Sequence, residues 1–171
     1  MKAIKSIKFD NKNDLYKYMN IKLIGLVTSE DNALSNLCNS AGLLNLLLDN
    51  INWVGFYLVE KECLKLGPFI GKPACTTLKI GTGVCGRAVE DDEIKIVEDV
   101  NKFETHVACD PESKSEIVLP IKHKGVIVAV LDVDSPMLNR FDSEDALGLT
   151  KIVETLSKNI DWDKILRTLD S

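Results

Sequence analysis

The hydrophobic period changes twice along this chain of 171 residues, and no motif constrains the fold as much. Between Asn13 and Val27, Leu15, Tyr16, Met19, Leu23 and Leu26 recur near helical spacing, which predicts an amphipathic helix. Ser29 or Asp31 is placed to cap a second helix that runs to about Leu48. Its apolar face would hold Leu34, Leu37, Cys38, Ala41, Leu44 and Leu48. From Trp53 the period becomes two. Trp53–Val59 and Cys63–Leu66 read as a hairpin across Glu60-Lys61-Glu62, and Thr76–Ile80 and Ile94–Val97 as short strands. Between them, Gly81-Thr82-Gly83 is a glycine turn leading into a short helix, Val84–Val89. Asp99–Lys114 has no periodicity, and loops of that length are often functional. Ser115–Ile121 and Gly125–Val133 form a second hairpin around Lys122–Lys124. Helical spacing returns near Ser143 and passes Leu149, Ile152, Val153 and Leu156, with a break before Trp162.

Helices at both ends and hairpins between them predict an α+β fold. A central antiparallel sheet would carry the helices from both chain ends on one face, and the long loop and any site on the other. One domain over residues 1–171 is expected, with residues 1–25 as an N-terminal helix and the least distinctive part. The net charge of −5 argues against a nucleic-acid partner, whose footprint would be basic. The longest apolar runs, Gly42–Leu48 and Gly125–Leu131, fall short of the ~20 residues that span a bilayer, so no membrane partner is expected. The N-terminal stretch is charged throughout, without a signal-like apolar segment. A cytoplasmic location follows as the expectation, and with it five cysteines held as thiols rather than structural disulfides.

Cys75, Cys85 and Cys109 lie in turn-rich stretches, whereas Cys38 and Cys63 sit on a helix face and a strand start and read as small buried hydrophobes. The cysteine spacings contain no CxxC pair, and His106 and His123 complete no zinc pattern, so no metal is expected there. Cys85 follows Gly83 at a helix start, where backbone N–H groups favour a thiolate; local electrostatics alone make it the preferred nucleophile. In LDVDS, Asp132 and Asp134 share one strand face by parity, and the second hairpin brings Glu116 near the level of Leu131–Asp132. Clustered carboxyls raise one another's pKa and can serve as proton donor and ammonium holder. The same residues are also compatible with a solvated strand end or a divalent-cation site. Trp53 and Tyr57 share a face opposite Phe56, either as core or as the wall of a small pocket. The glycine turn could offer backbone N–H groups to a substrate carboxylate.

Taken in order, NWVGFYLV, LGPFIGKPAC, IGTGVCGRAV, DVNKFETHVACDPESKSEIVLPI and GVIVAVLDVDS resemble the free methionine-(R)-sulfoxide reductases, enzymes built on a GAF domain. The resemblance covers about residues 30–160. It implies that Cys109 is the attacking nucleophile, displacing Cys85 from that role, and that Cys75 and Cys85 are the resolving partners. It implies substrate-binding and acid roles for Glu116, Asp132 and Asp134, and an apolar wall at Trp53, with Tyr57 beside it. The implied reaction reduces free methionine-R-sulfoxide through a cysteine sulfenic acid and an intramolecular disulfide, reset by an external thioredoxin-type reductant, with no cofactor. A homodimer through the terminal helices is an assembly compatible with the resemblance. The rival reading is a non-catalytic GAF-type module that binds a small ligand or senses redox state.

Overall fold

The computed structural model describes residues 8–28, 32–104 and 110–169. Ser29, Asp31, His106 and Cys109 lie outside them. Helix α1 (Lys12–Ile24) is capped by Asn11, whose side chain accepts from the Asp14 N–H. Helix α2 (Ala33–Leu47) is capped by Asn32, which accepts from the N–H groups of Leu34 and Ser35. Its buried stripe corrects the sequence reading. Leu34 is 57% exposed and Cys38 is exposed, whereas Asn36 and Ser40 point inward. Those two polar side chains are tolerated because backbone oxygens accept from them: Thr28 O at 2.7 Å from Asn36 Nδ2, and Asn36 O at 2.7 Å from Ser40 Oγ.

Strands β1 (Trp53–Glu60) and β2 (Cys63–Ile70) form the first hairpin. Strand β2 runs on through Gly67-Pro68, four residues past the Leu66 at which the sequence reading ended it. The β1–β2 register shifts between Gly55 and Tyr57, and β3 (Thr77–Lys79) pairs only with the opposite end of β2, so Pro68 needs no donor there. Helix α3 (Gly83–Asp91), β4 (Lys95–Val97) and a single 3-10 turn at Val100–Lys102 follow. Strands β5 (Ser115–His123) and β6 (Val126–Ser135) meet at Lys124-Gly125, where both residues have positive φ, at 52° and 81°. That is the backbone a two-residue hairpin turn requires. The turn lies later than the sequence placed it, and a bulge sits between Ile121 and Lys122, so Glu116 pairs with Asp134 rather than at the level of Leu131–Asp132. His123 ends β5 with its ring nitrogen 3.3 Å from Asp163.

Among the described residues the strands form one antiparallel six-stranded sheet in the order β3-β2-β1-β6-β5-β4. The side chains of Val54, Phe56, Leu119, Leu131 and Val133 leave one face of it. There they pack on α1, α2, α4 (Ser143–Asn159) and α5 (Trp162–Leu169) through Met19, Leu37, Leu44, Leu149, Ile152 and Trp162. The other face carries Trp53, Tyr57, Val118 and Val130 under α3 and forms a smaller core. Both faces of the sheet are thus covered, and the expected separation of terminal helices from the remaining elements is observed. No described helix is long and apolar enough to cross a membrane.

Candidate active site

Sheet register assembles the polar cluster. Trp53 on β1, Asp134 on β6 and Glu116 on β5 lie in one row across three strands. The next row is Gly55, Asp132 and Val118. Paired residues on adjacent strands project from the same face, here the one covered by α3. Gly55 contributes no side chain beside Asp132, and the Trp53 ring fills the space a side chain would take; the pocket beside it is lined by Trp53, Tyr57, Cys85, Glu116, Asp132 and Asp134. The aromatic wall is a stack: the Trp53 ring lies 5.9 Å from Tyr57 and 5.3 Å from Phe69, centroid to centroid. Its polar edges hold the loop between β2 and β3. Trp53 Nε1 donates to Lys72 O at 3.2 Å, and Tyr57 Oη donates to Cys75 O at 3.0 Å.

Burial dominates the electrostatics. Glu116 and Asp132 are 7% and 6% exposed. Removal from water pushes the carboxyls of Glu116 and Asp134 well above the carboxylate range, and the charge on Asp132 pushes them further. Burial also raises Asp132, but hydrogen bonds from Cys85 and Glu116 limit its rise to about 7. Asp132 Oδ1 is buried with no partner among the described residues. Such an oxygen is costly unless a ligand donor reaches it.

The cysteines divide. Cys85 is buried at the start of α3, with Sγ 3.9 Å from Glu116 Oε1. Burial and the facing carboxylates push its thiol well up. This overturns the thiolate expected from the helix start, since desolvation and like charge outweigh a few backbone dipoles. Cys75 is disulfide-bonded. Cys63 is half-buried, its thiol donating to Glu60 O at 3.2 Å. In the glycine turn the N–H groups of Gly81 and Thr82 are committed to Gly86 O and Lys79 O, at 3.0 and 3.1 Å, while Gly83 and Val84 line the pocket. Cys85 Sγ and one oxygen each of Glu116 and Asp132 lie within 4.8 Å of one another, close enough for a metal ion.

Four residues at the pocket mouth escaped the sequence reading. Asp110, buried at 8% exposure, accepts from Glu112 N–H at 2.9 Å and from Asn52 Nδ2 at 3.1 Å, and lies 3.4 Å from Lys72 Nζ. Asn52 Nδ2 also donates to Ser113 Oγ at 3.0 Å, and the Ser113 hydroxyl reaches Asp134. The Asp-x-Glu spacing of an Asx turn was the available signal; the partners across 38 and 58 residues left none.

A GAF domain family model matches residues 31–160. The free methionine-R-sulfoxide reductase of Escherichia coli K12 is 44% identical over 160 residues, which is 94% of this chain and 93% of that protein. The structure of fRMsr of Staphylococcus aureus in complex with substrate superposes with a TM-score of 0.81 at 43% identity, covering 89% of this chain and 98% of that one. The free methionine-R-sulfoxide reductase of Neisseria meningitidis in complex with its substrate gives a TM-score of 0.86 at 36% identity, covering 95% and 96%. The buried carboxyls, the aromatic wall and the adjoining cysteines thus sit on a scaffold shared almost end to end with these enzymes, and the chain belongs to the free methionine-R-sulfoxide reductases, a family of oxidoreductases built on a GAF domain.

Proposed function

We propose that this enzyme reduces free L-methionine-R-sulfoxide to methionine with Cys109 as nucleophile and Cys75 as resolving thiol. The observation that carries the reading is the buried trio of Glu116, Asp132 and Asp134 facing the Trp53–Tyr57 wall. A sulfoxide sulfur becomes electrophilic when its oxygen is protonated, and burial raises the carboxyls of Glu116 and Asp134 toward that donor role. Asp132, whose rise is limited by hydrogen bonds from Cys85 and Glu116, takes the substrate ammonium on its unpartnered Oδ1. Trp53 and Tyr57 pack against the methyl end of the side chain. An amine blocked as an amide brings no charge to Asp132 and adds bulk in a closed pocket, so recognition is confined to the free amino acid.

The Cys109 sulfur attacks the protonated sulfoxide and takes its oxygen. Methionine leaves with two electrons more than the sulfoxide had, and Cys109 becomes a sulfenic acid. The Cys75 thiol then forms the S–S bond, the S–O bond breaks, and water departs with the thiol proton. The disulfide-bonded state of Cys75, beside a Cys85 that is free, buried and protonated, supports Cys75 as the resolving partner. An external dithiol of the thioredoxin type returns the two electrons by exchange. No cofactor enters the scheme.

Reduced protein should be given the free R epimer, the free S epimer and N-acetylated R-sulfoxide in separate reactions, with dithiothreitol as reductant. Methionine should form from the free R epimer alone. Cys109→Ser should form none, and Cys75→Ser, reduced and then freed of dithiothreitol, should release methionine once per chain and then stall as sulfenic acid. Absence of methionine from every substrate, with thiols titrated as active, would return the chain to the ligand-sensing reading. A stall in Cys85→Ser but not in Cys75→Ser would exchange the two resolving roles.

A further inference from the structure

The loop that carries Cys75 and the segment that begins at Asp110, the residue after Cys109, are far apart in sequence and are joined through Lys72 and Asp110. Asp110 Oδ1 lies 3.4 Å from Lys72 Nζ and accepts the Glu112 N–H at 2.9 Å; Oδ2 accepts from Asn52 Nδ2 at 3.1 Å. Lys72 also pairs with Glu112, so the bridge has two carboxylates on one ammonium. Asn52 stands directly before Trp53 and passes the connection to Ser113 Oγ, which bonds Asp134. Four segments meet here: the entry to β1, the β2–β3 loop, residues 110–113, and the end of β6. Each reaches the pocket through the residue beside it. The Lys72 carbonyl accepts from Trp53 Nε1, and the Cys75 carbonyl accepts from Tyr57 Oη.

We infer that Asp110, with Lys72 and Asn52, is a positioning clasp that holds the segment following Cys109 against the Cys75 loop, and so sets how readily the Cys75 disulfide forms. The inference rests on the reductase reading above. In the resolving step an S–S bond forms, the sulfenic S–O bond breaks and water leaves. The rate and equilibrium of that step depend on the effective concentration of one sulfur near the other. Asp110 is buried although Lys72 is half-exposed, and a carboxylate that takes Asn52 Nδ2, Lys72 Nζ and the Glu112 N–H at once restricts that separation more than a lone surface ion pair does. Asp110 touches neither cysteine and is not a catalytic residue.

The test uses the full chain and two measurements. The thiol–disulfide equilibrium of Cys75 with glutathione needs no sulfoxide, so it reads the clasp even if the reductase reading fails. Sulfenic acid trapped by dimedone after one turnover with free methionine-R-sulfoxide reads the same step kinetically. Asp110→Asn and Lys72→Gln should each lower the equilibrium constant for disulfide formation about tenfold, the loss expected for one charge-assisted hydrogen bond, and increase the trapped sulfenic acid. Lys72→Arg, which keeps the charge and a donor, should stay near the parent. Gly148→Ala, whose added carbon would meet the Tyr16 ring at 2.2 Å on the other face, should lower Tm without moving the equilibrium. Unchanged equilibrium constants in Asp110→Asn and Lys72→Gln would overturn the clasp. So would an equal fall in Gly148→Ala, since that would reduce the effect to general loss of stability. A parent that releases no methionine but shows the equilibrium shift would sink the reductase reading and leave the clasp standing.

Discussion

Asp132 is where burial, charge and the proposed ammonium contact meet in one side chain. Its carboxyl is raised to about 7 in the folded chain but titrates near ~4 when unfolded. Between those values the folded protein holds a proton that the unfolded chain has released, so stability is fullest below the lower value and is lost as pH rises through the upper one. Glu116 and Asp134 shift in the same direction and reinforce the trend. The substrate-free protein should therefore show a higher Tm at pH 5 than at pH 8. Asp132→Asn removes the buried charge and should raise Tm at pH 8 by ~5 °C, with little gain at pH 4. The same change should lower kcat/KM on the free R-sulfoxide by ~100-fold or more through loss of the ammonium partner. Thermal scans across pH, paired with initial rates, check both halves. A parent Tm that rises from pH 5 to pH 8 would contradict the raised carboxyls.

At the level of the element, the irregular end of β1 shapes the pocket. Gly55 pairs with Asp132 on one side and Phe69 on the other. A carbon added there would sit 2.4 Å from Phe69 Cβ, 2.6 Å from Trp53 Cη2 and 2.8 Å from Phe69 Cα. Two of those atoms belong to the indole tip and the backbone, so relief requires moving the wall or the strand. Gly55→Ala should cost ~2–3 kcal/mol, lower Tm by ~5–10 °C and raise KM as Trp53 is displaced. Gly42→Ala in α2, where nothing lies within 4 Å of the added carbon, should instead stabilise by ~0.5–1 kcal/mol. Parity alone placed Trp53 and Tyr57 opposite Phe56, and Asp132 with Asp134, because side chains alternate whatever the register. The exact partner of Glu116 was not legible. Register follows the turn, and Lys124 adopts positive φ without being a glycine or asparagine that would announce it. Helix α2 was misread for a related reason: Leu34 looks like core by hydrophobicity, but backbone acceptors for Asn36 and Ser40 decide which stripe turns inward.

Over the whole molecule the sheet separates two cores, one that stabilises and one that surrounds the chemistry. The order of helices and hairpins made that division readable, since elements of one period at both chain ends have one open face to share. Contacts that close the site across 38 and 58 residues left no local pattern, and the Lys72–Asp110–Asn52 clasp could be seen only in three dimensions. The large core has its own polar centre at Asp145, 1% exposed in the first turn of α4. It accepts from Tyr16 Oη at 2.8 Å, Lys12 Nζ at 2.6 Å, Arg140 Nη1 at 3.3 Å and the Asp142 N–H at 3.0 Å. One carboxylate thus ties α1 to α4 and completes the cap of α4. Asp145→Ala would leave two cations and a phenol facing a void, at a cost of ~3–5 kcal/mol and ~10 °C in Tm. The Trp53, Asp132 and Glu116 side chains lie across the sheet from it, so the kcat/KM of the fraction still folded at 25 °C should stay within ~3-fold of the parent. Denaturant melts and initial rates on the same samples measure the two effects separately. If activity fell in step with stability, the two faces would be coupled through β5 and β6, and Arg140, which donates its N–H to Ser115 Oγ beside Glu116 at 3.3 Å, would be the connection to examine next.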